Sequence, residues 1–199
     1  SGFLALMVGP ALETIQISVM GTLIAIALGF PIGILATRNF SVGGILNEAD
    51  TAGAPARFAL RFSIYCFARG LLSFFRAIPE FVWAFMFVRA VGLGPFPGVL
   101  AVVAYTTTVL AKLYSEAIEA IDPGPVEAAT AAGATQLQTL VYAVIPQLLP
   151  LFVSYILYRF ETNIRAAAIL GFVGAGGIGF YIQTYLRMFN YPAASAVLL

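Results

Sequence analysis

Four polar side chains, Arg159, Glu161, Asn163 and Arg165, interrupt an apolar run that extends from about Gln147 to Leu170. A charge at the middle of a bilayer costs about 2.5–3.5 kcal/mol on insertion scales, so such residues face protein or a polar cavity rather than lipid. Helical spacing puts Glu161 and Arg165 four apart, in the favourable order for an ion pair, and places Arg159 and Asn163 together on another face. Two readings of Arg159 stay open. It pairs with an acid on another helix, Glu80 or Glu116, or it offers its planar donor fork to an oxyanion crossing the membrane. Arg76, Pro79 and Glu80 form a second polar cluster, at the start of an earlier apolar run, the second, at about 71–91. Pro79 is expected to kink that run and Pro31 the first one.

The remaining chemistry is narrow. The chain has no histidine and one cysteine, Cys66. That removes the usual general base, the usual zinc ligand and any internal disulfide, so neither a hydrolytic centre nor a metal site is expected. Gly174-x-Gly176-x-x-Gly179 matches the dinucleotide fingerprint by letter. That fingerprint needs a preceding strand and an acid about 20 residues later, and no acid follows Glu161. Close packing of small residues is the simpler account, because Gly171, Ala175 and Gly179 recur at the small-xxx-small spacing. A segment around Gly174, Gly176 and Gly177 that moves as a pathway opens is the functional one. No Walker A pattern is present, so no ATP site is expected in this chain.

Residues 121–150, IDPGPVEAATAAGATQLQTLVYAVIPQLLP, read as a soluble helical hairpin between apolar runs. Asp122 is placed to cap the first free amides, and Pro123 and Pro125 suit a first helical turn. Glu127-Ala128-Ala129 continues with strong helix formers, and Gly133 supplies the point where the helix stops or bends. A small rigid knob in one loop of a membrane protein is suited to docking a partner.

Glu127-Ala128-Ala129, three residues, Gly133, then Val144-Ile145-Pro146 resembles the EAA loop of ABC importer permeases, EAA-x3-G-x9-I-x-L-P. Ala143 and Ile145 stand where that pattern has Ile and Leu, and both stay apolar. Further segments resemble the phosphonate transporter permease subunit over nearly the whole chain: Glu13-Thr14, Arg76-Ala77-Ile78-Pro79-Glu80, Val91 to Pro95, Lys112-Leu113-Tyr114, Ile121 to Pro125 and Gly174 to Gly179. The resemblance implies an all-α polytopic fold. It implies a second permease subunit, identical or paralogous, two ATP-binding subunits holding ATP and Mg, and an extracytoplasmic binding protein, in a bacterial plasma membrane. It also implies that Asp122, Pro125, Glu127, Ala128, Ala129, Gly133 and Ala134 couple the chain to the ATPase, with no cofactor of its own. Arg76, Pro79, Glu80, Arg159, Asn163, Gly174, Gly176 and Gly177 would then belong to the pathway or its gate. Permeases for another solute such as methionine share the EAA loop. A secondary transporter is the more distant alternative, and the inverted repeats typical of that class are not evident.

Composition requires elements that cross a bilayer. Hydrophobic residues make up 61% and charged residues 10%, with a mean hydropathy of +0.96, against about 45–50% and about 25% in soluble domains. A net charge of +1 argues against a nucleic-acid footprint. The apolar runs predict about five transmembrane elements. These are 11–37, 71–91 after a basic surface-lying helix at 57–70, 96–118, 147–170, and one starting near Tyr191, with a loop at 41–56. Ser1-Gly2-Phe3 has neither an initiator Met nor a basic stretch, and the last run stops short of the roughly 20 residues a span needs. The expectation is therefore one permease domain over 1–199, trimmed at both ends, with the 119–146 loop inside it.

Orientation follows from charge. Arg38, Arg57, Arg61, Arg69 and Arg76 lie between the first run and the first turns of the second. Short Lys/Arg-rich loops stay in the cytoplasm. Counting spans from there, residues 91–95 face outward and the 119–146 hairpin faces the cytoplasm.

Overall fold

A computed structural model describes residues 2–38 and 55–198. Its elements in chain order are α1 (Gly2–Leu35), α2 (Pro55–Ala77), α3 (Glu80–Val91), α4 (Pro95–Glu119), α5 (Pro123–Ala131) and α6 (Gln136–Thr139). A π-helical turn, Leu140–Val144, leads into α7 (Ile145–Leu170). A 3₁₀ turn, Gly171–Val173, precedes α8 (Gly177–Arg187) and α9 (Tyr191–Leu198). No strand occurs among the described residues, in keeping with an all-α membrane protein. The loop expected at 41–56 falls largely outside the described residues.

Among the described residues, three stretches are long and apolar enough to cross a membrane, or four if one bent pair of helices is a single span. That pair revises the expected layout of 57–91. The basic stretch is not a separate surface helix; it continues without interruption to Ala77, and the chain then bends by 85° before α3. Ile78 and Pro79 lie at the break. Pro79 lacks a donor and disfavours helical geometry in the residue before it, so the helix ends there and restarts at Glu80. Pro31, by contrast, lies inside helical α1. Where the fifth transmembrane element was expected to start lies α9, eight residues long and not among those stretches.

The chain divides into two compact units. One comprises Ser1–Ile26, Phe75–Thr107 and Tyr158–Leu199. Its apolar core gathers Ile17, Ala84, Ala101, Val102, Ala167, Leu170 and Ala175, and the half-buried Trp83 packs against it. Trp83 stacks between Phe75 and Phe87, with ring centroids 5.5 and 5.8 Å away. The other unit comprises Ala27–Phe74 and Thr108–Leu157. It holds one core of Ala36, Leu72 and Ala111 and a second of Ala117, Ile121, Val126, Ala143, Val144 and Leu148.

Large apolar residues such as Leu23, Phe67, Phe85 and Leu157 are exposed. In a chain whose solvent is lipid this is the expected outside, since apolar side chains gain nothing there by being buried.

Candidate functional site

In the second unit, the hairpin is built as its residue types dictate. Asp122 Oδ1 accepts from Gly124 N at 2.9 Å and caps α5. The helix ends at Ala131, and Gly133 takes φ +81, the left-handed conformation that favours glycine at a helix terminus. Thr135 and Gln138 form a capping box that starts α6. This T-x-x-Q signal was legible in the sequence and was not used there.

Val126, 2% exposed, seats α5 on a core shared with Ala117, Ala143 and Leu148, with Ala129 packed against it. Glu127, Ala128 and Gly133 are exposed, and Ala134 is half-buried. Leu137 and Tyr142, at 70% and 78%, also project from the hairpin.

Two further contacts fix its position. Gln147 accepts from Asp122 N at 2.9 Å, and its Nε2 donates to Asp122 O at 3.3 Å and to Ala143 O at 2.8 Å. This ties the start of α5 to the start of α7. Glu119, just before the hairpin, accepts from Arg69 Nη1 and from Arg38 N, each at 2.8 Å. Neither Gln147 nor Glu119 carries a spacing that marks it from sequence.

In the first unit, a polar network centres on Asn163, which is fully buried. Its Oδ1 accepts from Thr106 Oγ1 at 2.9 Å and from Arg159 Nη2 at 3.0 Å, and its Nδ2 donates to Thr22 Oγ1 at 2.8 Å. Ser18 Oγ donates to the Asn163 carbonyl at 3.2 Å. Arg159 Nη2 also reaches Thr106 Oγ1 at 3.0 Å, and its guanidinium carbon lies 5.4 Å from the Tyr105 ring centroid. Thr14, Ser18 and Thr22 recur every four residues along α1 and form a hydroxyl stripe. Together with the Thr106-Thr107-Thr108 run, that stripe was the available signal for this network, and it lies in apolar segments where attention goes to charges.

The acids proposed as partners for Arg159 do not pair with it directly. Glu116 pairs with Lys112 at 3.1 Å, and Glu161 pairs with Arg165. Glu80 lies in the first turn of α3, where the helix dipole favours an acid. Its Oε1 is buried without a hydrogen-bond partner among the described residues, as is Arg159 Nε. Arg76 is exposed at the end of α2 and joins neither residue.

The glycine segment is a break between helices, which changes its reading. Gly171 lies in the 3₁₀ turn and Gly174, Gly176 and Gly177 have positive φ, so the small residues do not form a continuous helical stripe. It follows a helix rather than a strand, which excludes a dinucleotide fold. Packing around it is tight. A Cβ on Gly171 would lie 2.5 Å from Phe180 N and 2.7 Å from Gly179 Cα. The hydroxyl of Thr14 accepts from Ile178 N at 2.9 Å and caps α8 from another helix. Gly94 N donates to Gly174 O at 3.0 Å.

No group of three or more His, Cys, Asp or Glu that could hold a metal occurs among the described residues. What the arrangement offers is an exposed helical knob and a buried, positively charged hydrogen-bonding network, with no catalytic constellation among the described residues.

The phosphite transport system permease protein PtxC of Stutzerimonas stutzeri is 40% identical over 96% of this chain and 62% of its own length. The phosphate-import permease protein PhnE of Mycolicibacterium smegmatis is 38% identical over 94% of this chain and 32% of its own length. The chain thus spans less than two thirds of either relative. A solved structure of the MetNI methionine ABC transporter in an inward-facing conformation superposes with a TM-score of 0.75 at 23% identity, covering 100% of this chain and 88% of that one, and so shares its fold. The profile of the binding-protein-dependent transport system inner membrane component matches residues 51–199, and the chain belongs to that family of multi-pass transport permeases.

Proposed function

We propose that this chain is the translocation subunit of an ATP-driven importer for phosphonates or related phosphorus oxyanions. The observation that carries the reading is that the phosphite and phosphate permeases match more than nine tenths of this chain, a span that contains both the hairpin and the Asn163 network. The methionine transporter shares the fold at lower identity, which does not reach to substrate.

In this reading two permease subunits enclose a pathway across a bacterial plasma membrane. Two ATP-binding subunits, which hold the ATP and Mg, dock on the cytoplasmic side, and an extracytoplasmic binding protein delivers substrate. Asp122, Pro125, Glu127, Ala128, Ala129, Gly133 and Ala134 form the docking knob. Exposed Ala128 permits close approach, and Val126 and Gln147 hold the knob to the ends of α4 and α7 so that it moves as part of them. A helix so anchored transmits force better than a loose coil. Arg159 and Asn163 supply positive charge and hydrogen bonds along the route. Arg76, Pro79, Glu80 and the Gly174–Gly177 segment border it, the 85° break at Pro79 being a natural point for a gate.

The test is ATP hydrolysis by the complex in lipid, assembled with this subunit at full length, its ATPase and its binding protein. It is challenged with methylphosphonate, phosphate, phosphite and methionine. Stimulation by phosphorus oxyanions alone is expected. Stimulation by methionine, or by none of the four, refutes the substrate assignment. Failure of the ATPase to assemble with the subunit refutes the docking assignment.

A further inference from the structure

Arg159 is a buried cation, 5% exposed, whose hydrogen-bond partners are all neutral. One nitrogen, Nη2, is engaged by Thr106 and Asn163, while Nε is buried and has no partner among the described residues. Such an edge calls for an acceptor, and a planar guanidinium meets a tetrahedral oxyanion with directed bonds. Two other acids are spent: Glu161 on Arg165 and Glu116 on Lys112. Glu80 is different. Its Oε1 is buried and has no partner among the described residues, and it lies one turn before Ala84, which shares a core with Ala167 and Leu170 of the Arg159 helix.

We infer that the free edge of Arg159, beside Thr106 and Asn163, binds one tetrahedral phosphorus oxyanion, and that the Glu80 carboxylate competes with the substrate for it. This rests on the reading above that such oxyanions pass Arg159. A transport site must hold its substrate firmly enough to admit it and loosely enough to release it. An isolated buried arginine would retain a multiply charged oxyanion. A carboxylate on a helix packed in the same core, with one buried oxygen left without a partner, takes over the guanidinium as substrate leaves and yields it as substrate arrives. The cation is then never left without an anion at membrane depth, where that state is costly.

The experiment uses the full-length subunit with its ATPase in lipid nanodiscs, without the binding protein. Affinity for inorganic phosphate and for phosphite is read from ³¹P line broadening, with sulfate as competitor. Glu80→Gln is expected to tighten phosphate or phosphite about tenfold, the scale of one lost competing charge at a partly buried site. Arg159→Gln is expected to abolish binding in both the parent and the Glu80→Gln background. Arg159→Lys, which keeps the charge without the fork, is expected to leave it weak. Unchanged affinity in Glu80→Gln, or retained binding in Arg159→Gln, overturns the inference.

Should Glu80→Gln fail to assemble, Glu80→Asp shortens the competitor's reach and must still tighten binding; no change there overturns the inference equally. The two readings fail separately. If phosphorus oxyanions stimulate the parent ATPase but Glu80 variants bind as the parent does, only the competitor role is lost. If they do not stimulate it at all, the substrate reading itself is refuted.

Discussion

Arg159 Nη2 lies 3.0 Å from Asn163 Oδ1, one helical turn away on α7, and the same oxygen accepts from Thr106. Asn163 is thus the neutral group that holds the guanidinium in place without cancelling its charge. Asn163→Leu takes one acceptor from the buried donors Thr106 Oγ1 and Arg159 Nη2 and one donor from Thr22 Oγ1, each loss costing about 1–3 kcal/mol. A clear fall in the thermal midpoint of the purified complex is the expected result. Asn163→Asp is the sharper variant, since it sets a permanent carboxylate against Arg159. Assembly should persist and oxyanion uptake should be lost; normal uptake would show that the charge of Arg159 is not used in transport.

Arg159→Gln separates the two roles of that residue. Uptake of phosphorus oxyanions is expected to drop while the subunit still inserts and assembles, as judged by membrane yield and co-purification with the ATPase. Loss of assembly would instead make Arg159 a structural member of the network.

Gly133 has φ +81, and a Cβ placed there meets nothing within 4 Å. Gly133→Asp therefore costs only backbone strain, about 1–2 kcal/mol for a left-handed residue. The variant should fold and insert, yet fail in uptake because the bend of the docking knob is altered and a charge added to it. Unimpaired uptake would remove Gly133 from the coupling surface.

Gln147 joins the knob to α7 through two hydrogen bonds to the Asp122 backbone, and a third, to Ala143 O, holds its side chain in place. Gln147→Ala is expected to leave the ATPase bound while lowering the number of substrate molecules moved per ATP hydrolysed. A ratio equal to that of the parent complex would show that the clamp has no part in coupling.

Gly179 packs against the backbone of Ala168 and Gly171, and an added Cβ would collide with the Ala168 carbonyl oxygen. Backbone cannot swing aside as a flexible side chain can, so Gly179→Ala should sharply reduce folded subunit in the membrane. Gly70→Ala is the control. It lies inside α2 with open space at its Cβ, and there Ala is favoured over Gly by about 0.5–1 kcal/mol. Equal yields of the two variants would contradict the close approach at Gly179.

Much of the architecture was legible because the signals are local. Long apolar runs define spans without reference to neighbours, and Asp122, the two prolines and Gly133 punctuate the hairpin through their own backbone preferences. The ion pair of Glu161 with Arg165 and the shared face of Arg159 and Asn163 follow from helical period alone. The layout of 57–91 was less legible, because a proline marks where a helix breaks but not the direction in which the chain then leaves.

The partners of Arg159 were not legible in the same way. Any acid in the chain satisfies Coulomb's law on paper, and only the packing of α1, α4 and α7 shows that hydroxyls and an amide surround it. The same holds for Thr14 capping α8 and Gln147 clamping Asp122, contacts between residues 164 and 25 positions apart. Sequence by itself determined that this chain is a helical membrane protein with a structured knob, since hydropathy, helical period and capping are properties of neighbouring residues. Tertiary structure alone decided which buried polar atoms are satisfied and which are left waiting, because hydrogen bonds reach only about 3 Å and depend on where distant helices come to rest.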